Sequence, residues 1–181
     1  MSTPQAPLTP LAISSALQAV TLAALGLPAN AYDQVRIAWQ TTAQPREPVT
    51  QDVCYIAAIE DEDLYNKVRD VTLTQATTTT DTITTTYTRV WRVMWTFYGP
   101  NSFDRARQMR SALLTQATHD QLAGSQLFLV TAMTAPLRAP ERYAELWRER
   151  VDFHVQMNEF VTEVSIVQTV ASVDVSVEVQ Q

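Results

Sequence analysis

The chain has 181 residues, of which 46% are hydrophobic and 18% charged, which is enough for one folded domain with a sizeable core. Thirteen basic and nineteen acidic side chains give a net charge of −6, which excludes tight binding driven by the phosphates of nucleic acid. One cysteine excludes an intrachain disulfide and a multi-cysteine zinc site, and three glycines are too few for a glycine-rich phosphate-binding loop.

The chain begins with an arm and a helix. Residues 1–9 hold two prolines among small polar residues, which is typical of a flexible arm. Thr9 as N-cap, Pro10 at the first helical position and Gly26 as a stop predict a helix over residues 10–25. Polar residues interrupt its apolar stretch, so we do not expect it to span a membrane.

The next segments predict β-structure. Residues 35–39 alternate between apolar and polar side chains, and residues 53–59 form an apolar run rich in β-branched residues. Four consecutive acids at 60–63 indicate a solvated turn in preference to an interaction surface. The threonine-rich stretch 72–88 predicts a hairpin that projects from the body. In the clearest strand, residues 87–98, large apolar side chains fall on odd positions, so its tryptophans, together with Trp39, are expected in the core.

A Gly-Pro pair at positions 99 and 100 ends that strand, and a helix is predicted after it. Asn101 can cap this helix, and apolar residues recur at helical spacing over residues 102–118. His119 then closes the helix, where its charge complements the helix C-terminus.

The last third of the chain predicts further strands. Residues 127–130 form a short strand, and residues 135–150 indicate a structured loop with one helical turn. Residues 151–157 alternate and should pair antiparallel with the long strand at 87–98. Alternating valines at 173–179 indicate either a last strand or an arm that adds to a neighbour's sheet edge.

These elements predict an α+β fold, with a mainly antiparallel sheet, two packed helices, and a projecting hairpin or arms. The predicted domain organisation is an arm at 1–9, one domain at 10–162, and a C-terminal strand or arm at 163–181.

No residue pattern predicts catalysis, a cofactor or a metal site. His119 and His154 are expected at the surface, and Cys54 lies in an apolar strand where an inert thiol is the default. The acids at 60–63 lack the apolar pocket that a catalytic carboxylate pair requires. Trp147 lies in a loop and is expected either as an interface anchor or in the core.

Three segments resemble a known family. Residues 95–104 read WTFYGPNSFD, residues 138–141 read RAPE, and residues 147–152 read WRERVD. This pattern resembles the neck and tail-terminator proteins of tailed bacteriophages, and the resemblance covers residues 35–161. Both flanks depart from the pattern.

The resemblance implies a tail-terminator-like subunit that forms a ring, often of six copies, at the head-proximal end of the tail tube. The ring would stop tube growth and offer a surface to the head-side connector. The implied partners are copies of the same chain, the tail tube protein, and the connector or stopper protein. If part of the negative charge lines the lumen, DNA would pass through it without specific binding. The implied location is the virion, after synthesis in the host cytoplasm. The residues expected at interfaces are Trp147, Arg148, Arg150, Arg138, Glu141, Tyr98 and Asn101.

Two alternatives stay open at this point. One is a different neck component, such as a head-completion or stopper ring. The other is a small cytoplasmic enzyme or ligand-binding domain with a site in a cleft near residues 138–150. The arginines and glutamates of that segment are expected instead to form an ion-pair network that fixes a loop or an interface.

Overall fold

A computed structural model describes residues 4–38, 48–77, 80–143 and 145–168. Within these ranges the chain forms three α-helices, one short 3-10 helix and nine strands, which confirms the predicted α+β class. In chain order the elements are α1 (Pro10–Ala24), β1 (Val35–Ile37), β2 (Val53–Glu60), the 3-10 helix (Leu64–Lys67), β3 (Asp70–Gln75), β4 (Thr80–Tyr98), α2 (Ser102–Ala112), α3 (Gln116–Gly124), β5 (Leu127–Leu129), β6 (Leu137–Arg138), β7 (Glu141–Tyr143), β8 (Leu146–Arg148) and β9 (Arg150–Gln168).

The sheet is organised around β4 and β9, which pair antiparallel over 19 residues each. The register runs from Thr80 opposite Gln168 at one end to Tyr98 opposite Arg150 at the other. This confirms the predicted antiparallel pairing of residues 151–157 with 87–98. At about 3.3 Å per residue the pair is about 60 Å long. The strand order is β1-β2-β4-β9-β5, with β3 also paired to β4 and β6 to β9, and β1 runs parallel to β2.

The core lies between one face of this sheet and the helices. Odd positions of β4 point to that face, and Trp91 and Trp95 are both buried, as predicted from the alternation. Trp39 lies outside the described residues. The Trp95 indole N–H donates to Thr21 Oγ1 at 2.9 Å, and its ring stacks on Phe153 at 5.1 Å. Side chains of all three helices complete the core, among them Ile13, Leu17, Met109 and Leu122.

Beyond the core the sheet continues as three strands with little cover. We call this part the wing: β3, residues 80–86 of β4 and residues 163–168 of β9. All of β3 is exposed, the β4 residues are half-buried, and the β9 residues are exposed except for Val167, which is half-buried. The wing contains the predicted threonine-rich hairpin, which begins at Asp70 rather than at residue 72.

The single helix predicted over 102–118 is wrong, because the chain forms α2 and α3 with a break between them. The Thr115 side chain accepts the Thr118 backbone N–H at 3.4 Å and so caps a new helix. His119 therefore lies inside α3 rather than at a helix end. It is half-buried, and its Nε2 atom is buried without a hydrogen-bond partner among the described residues. His154 is exposed, as predicted.

The segment 135–150 was predicted as a loop with one helical turn, and its described residues form β-structure instead. β6 pairs with the start of β9, and β7 pairs with β8 as a hairpin. Strands of two or three residues are too short to produce a recognisable alternation.

The predicted solvated turn at 60–63 is only partly correct. Asp61 accepts hydrogen bonds from Arg92 at 2.8 Å and from Gln156 at 3.1 Å, and Asp63 caps the 3-10 helix. Glu62 is exposed. Glu60 pairs with Arg89 at 3.0 Å, so three of the four acids make contacts within the fold.

The N-terminal segment of the described chain lies along β9, and the C-terminal end of the described chain belongs to β9 itself. Gln5 pairs with Thr162, and the Leu8 backbone N–H donates to Glu159 at 2.5 Å, so the described part of the arm lies against the sheet. Residues 163–168 extend β9, and the strand predicted at 173–179 lies outside the described residues. Among the described residues, no helix is long and apolar enough to cross a membrane.

Candidate subunit interface

The residues predicted at interfaces gather where β4 ends and β9 begins. Tyr98, the last residue of β4, pairs with Arg150, the first residue of β9. The β7–β8 hairpin, which carries Glu141, Trp147 and Arg148, lies at the same end. We call this region the hairpin end; the wing occupies the opposite end of the same strand pair.

Trp147 is exposed on this hairpin, with 68% of its surface accessible. This excludes the alternative that it belongs to the core. It borders an open groove of about 540 Å³ that is also lined by Arg138, Pro140 and Glu149. Leu146 beside it is 61% exposed. A large apolar side chain next to a groove, surrounded by charged residues, is the usual composition of a protein-binding surface.

The expected ion pairs at the hairpin end are present. The Arg150 guanidinium lies 2.9 Å from Asp152 and 3.1 Å from Glu141, so it links β9 to the hairpin. The hydrogen bond to Asp152 raises the pKa of Arg150, although partial burial opposes this. Arg138 lies 3.6 Å from Glu149 in a more exposed pair. Of these pairs, Arg150–Glu141 joins the hairpin to the sheet, and its partial exposure makes its contribution to stability modest.

Arg148 and Tyr98 hold the base of the hairpin. Arg148 is only 5% exposed, and its guanidinium lies 4.9 Å from the centre of the Tyr98 ring. Tyr98 also meets Tyr55 edge to face at 5.9 Å. Burial, together with the nearby Glu141, raises the pKa of Tyr98 to about 12, although the charge of Arg150 opposes this. Both residues therefore position Trp147 more than they offer surface themselves.

Asn101 makes a contact that the sequence did not predict. Its side chain makes no capping hydrogen bond. Instead its side-chain and backbone N–H groups donate to the two carboxylate oxygens of Asp52, at 2.9 and 3.0 Å. Gly99, in the same turn, has a φ of +112°, and a Cβ there would lie 2.5 Å from Asp52 Oδ1. The FYGPN turn is thus docked on the residue that precedes β2.

Glu159 is a second important residue that the sequence analysis missed. It is fully buried, accepts the Trp91 indole N–H at 2.8 Å, and lies 3.3 Å from Arg89. Its other oxygen accepts the Leu8 backbone N–H. A signal was available, because position 159 continues the core-facing alternation 151, 153, 155 and 157, where a carboxylate requires partners.

A family model described as phage neck terminator protein matches residues 11–181. The chain belongs to this family. The match includes all three segments on which the resemblance was based, and the family predicted from the sequence is confirmed. No curated protein matches the chain. This neck terminator protein is therefore a structural protein of the bacteriophage neck.

The candidate surface of the neck terminator protein contains groups suited to protein contact. In the described ranges, no cluster of three or more His, Cys, Asp and Glu residues could hold a metal. Cys54 is buried, and burial raises the pKa of its thiol well above the ordinary value, which keeps it protonated and unreactive. The hairpin end presents an exposed tryptophan on a hairpin that the Arg150–Glu141 ion pair joins to β9.

Proposed function

We propose that the protein forms a ring, of six copies, at the head-proximal end of the tail tube. There it stops tube growth and joins the tail to the head-side connector. Membership of the neck terminator family carries this proposal. A ring subunit needs a stiff body and surfaces for its neighbours, and both are features of this fold.

The stiff body is the β4–β9 pair. Its two strands bond to each other along their whole length, with the hairpin end and the wing at opposite ends. A subunit of this shape can contact other copies through one end and an axial partner through the other. We assign the axial contact with the tube protein to the hairpin end.

Trp147 supports this assignment. Its side chain is 68% exposed, while Arg148 and Arg150 at its base are held by Tyr98, Glu141 and Asp152. Tryptophan anchors on pre-positioned supports supply much of the binding energy in protein interfaces, because little conformational freedom is lost on binding.

The charge of the chain suits a ring through which DNA passes. Each copy carries −6, so six copies carry −36. If part of this charge lines the lumen, it repels phosphates, and DNA would move through without binding. The ring would reside in the neck of the virion after synthesis in the host cytoplasm.

The function is tested by mixing purified protein with terminator-free tail tubes, and separately with DNA-filled heads, under the electron microscope. We expect caps on one end of the tubes, and tubes that no longer elongate when tube protein is added. Binding to heads alone would contradict a terminator role and favour a head-completion or stopper ring.

A substitution tests the hairpin end. Trp147→Ala should weaken tube binding by about thirtyfold or more, the loss typical of an interface anchor. The unfolding free energy should stay within about 0.5 kcal/mol of the parent because the side chain is exposed. Binding is measured by co-sedimentation with tubes.

Tyr65→Ala is the matched control, since Tyr65 is an aromatic of similar exposure, 69%, in the 3-10 helix. It should bind tubes like the parent. Equal binding by the Trp147 variant would remove the hairpin end from the interface.

A further inference from the structure

We propose that copies of the chain associate by pairing the edges of their wings. In this arrangement β3 of one copy adds to residues 163–168 of β9 in the next copy, as a parallel ladder. The inference deepens the proposed ring, because it names the surface through which the copies join.

Both edges of the wing are open in the described part of the chain. There β3 pairs only with β4, and residues 163–168 pair only with β4 on their other side. The rest of the outer edge of β9 is covered. β6 pairs with it near residue 151, β5 near residue 158, and Gln5 at Thr162. The segments that pair with the outer edge of β9 thus end where the wing begins.

These edges lack the features by which proteins prevent unwanted strand pairing. Neither contains a lysine, a proline or a bulge, and each has a single acidic residue at its first position. Their aliphatic side chains are exposed: Val71 and Leu73 by 64% and 62%, and Val164 and Ile166 by 43% and 74%. Edges of this kind cause aggregation in a monomer, which indicates that the working state covers them.

The backbone groups that point outward can be identified on both edges. On β9, Thr162 both donates to and accepts from Gln5, so the even residues Val164 and Ile166 direct their N–H and C=O groups outward. At the hairpin, the Ala76 N–H donates to the Thr80 carbonyl. Even residues of β3 therefore bond to β4, and its odd residues point outward.

This pattern fits a parallel ladder between two copies. In a parallel ladder, a residue whose N–H and C=O groups point to the partner strand lies level with a partner residue whose groups point away from the ladder. Its N–H and C=O groups bond to the residues before and after that partner residue. Within one chain, Thr72, Thr84 and Val164 are level across the wing. A neighbour at the same height therefore places its Thr72 beside Val164. All three positions are even and lie on the same face, so the pleat continues from copy to copy.

The occupant of each edge is therefore a second copy. The two edges have the same length, six residues, and lie at the same height to within one residue, since Asp70 is level with Thr162 and Gln75 with Val167. Both strands run antiparallel to β4 and hence parallel to each other, so a copy related by rotation meets its neighbour with the correct strand direction. Each copy offers one edge of each kind, which is a heterologous contact, and a closing rotation turns such contacts into a ring.

Cysteine trapping tests the pairing. Leu73 and Ser165 are level and on the same face, so in the Leu73→Cys, Ser165→Cys double variant the two thiols of adjacent copies should be one strand spacing apart, about 4.8 Å between Cα atoms. Mild oxidation should give a ladder of covalent multimers on a non-reducing gel, and reduction should remove it. In the Thr72→Cys, Ser165→Cys control the thiols point to opposite faces, so no ladder should form.

Val164→Pro tests the same edge without engineered thiols. The substitution removes an outward N–H and leaves the bonds to β4 intact, a position that proline tolerates in an edge strand. We expect self-association to weaken by about tenfold or more, with a single cooperative unfolding transition as in the parent. Val164→Thr keeps the N–H and the branched side chain, and should associate like the parent.

The pairing would be overturned if the double variant formed no covalent ladder, or if the double variant and its control formed equal ladders. Dimers from either single-cysteine variant would also overturn it, because they would show that identical edges pair with each other. Closed rings that the cysteines do not link would show that the chain self-assembles through surfaces other than the wing edges. Cysteine-linked rings that do not bind tube ends would support the pairing of the wing edges and contradict the terminator role.

Discussion

The backbone conformation of Gly99 and the residues packed against it explain why the FYGPN turn has its sequence. Its backbone lies in a region that glycine adopts easily, and its missing side chain leaves room for Gln51 and Asp52. The close approach lets Asn101 bond to Asp52 with two N–H groups. The turn could be predicted from its own amino-acid sequence. Its partner 49 residues earlier was not, because a long-range contact leaves no local pattern.

Gly99→Ala should therefore destabilise the fold by about 3 kcal/mol, from backbone strain and from displacement of residues 51 and 52. The unfolding free energy is measured by urea titration. Gly124→Ala is the control, since a Cβ there meets nothing within 4 Å and the residue is helical. The control should stay within about 1 kcal/mol of the parent. Equal loss in both variants would contradict the role of close approach.

At the scale of elements, Asp61 joins three strands. It follows β2 and accepts hydrogen bonds from Arg92 of β4 and Gln156 of β9. The hydrogen bond from Gln156, together with the charge and hydrogen bond of Arg92, lowers its pKa, although partial burial opposes this. A carboxylate with a lowered folded-state pKa stabilises the fold above its unfolded pKa, and this contribution is lost as the pH falls through the folded value.

We therefore expect part of the acid sensitivity to come from Asp61. Between about pH 5 and pH 2 the parent should lose stability more steeply than Asp61→Asn, whose side chain does not titrate. Urea unfolding at a series of pH values measures the difference. Glu62→Gln, at an exposed neighbouring acid, is the control and should follow the parent. Parallel curves for parent and Asp61→Asn would contradict the assignment.

The sequence predicted those elements that repeat a pattern over many residues. The alternation in β4 and β9 located both strands and their core-facing positions, and Thr9 with Pro10 located the start of α1. The break between α2 and α3 was missed because Met109, Leu113 and Ala117 continue a four-residue helical spacing across it. Only the capping hydrogen bond of Thr115 marks the new helix.

The candidate interface was predicted in composition but not in arrangement. Its tryptophan and ion pairs could be chosen from the sequence, and the structure groups them at one end of the sheet. The burial of Arg148 against Tyr98 could not be predicted, because it depends on a hairpin of three-residue strands folding back onto the end of β4.

At the scale of the whole molecule, the two exposed ends should act separately. The wing and the hairpin end are most of a 19-residue strand apart, so a change at one should not reach the other. Trp147→Ala should keep the oligomer mass of the parent in light scattering while failing to bind tubes, and Val164→Pro should lose the mass. A monomeric Trp147 variant would place the hairpin end in the contact between copies.

The docked N-terminal segment has a practical consequence for handling the protein. Gln5 bonds to Thr162, immediately before the open stretch of β9, so any affinity tag fused ahead of it is delivered next to the seam between copies. A bulky fusion there should hinder assembly, and we expect its proteolytic removal after purification to restore it.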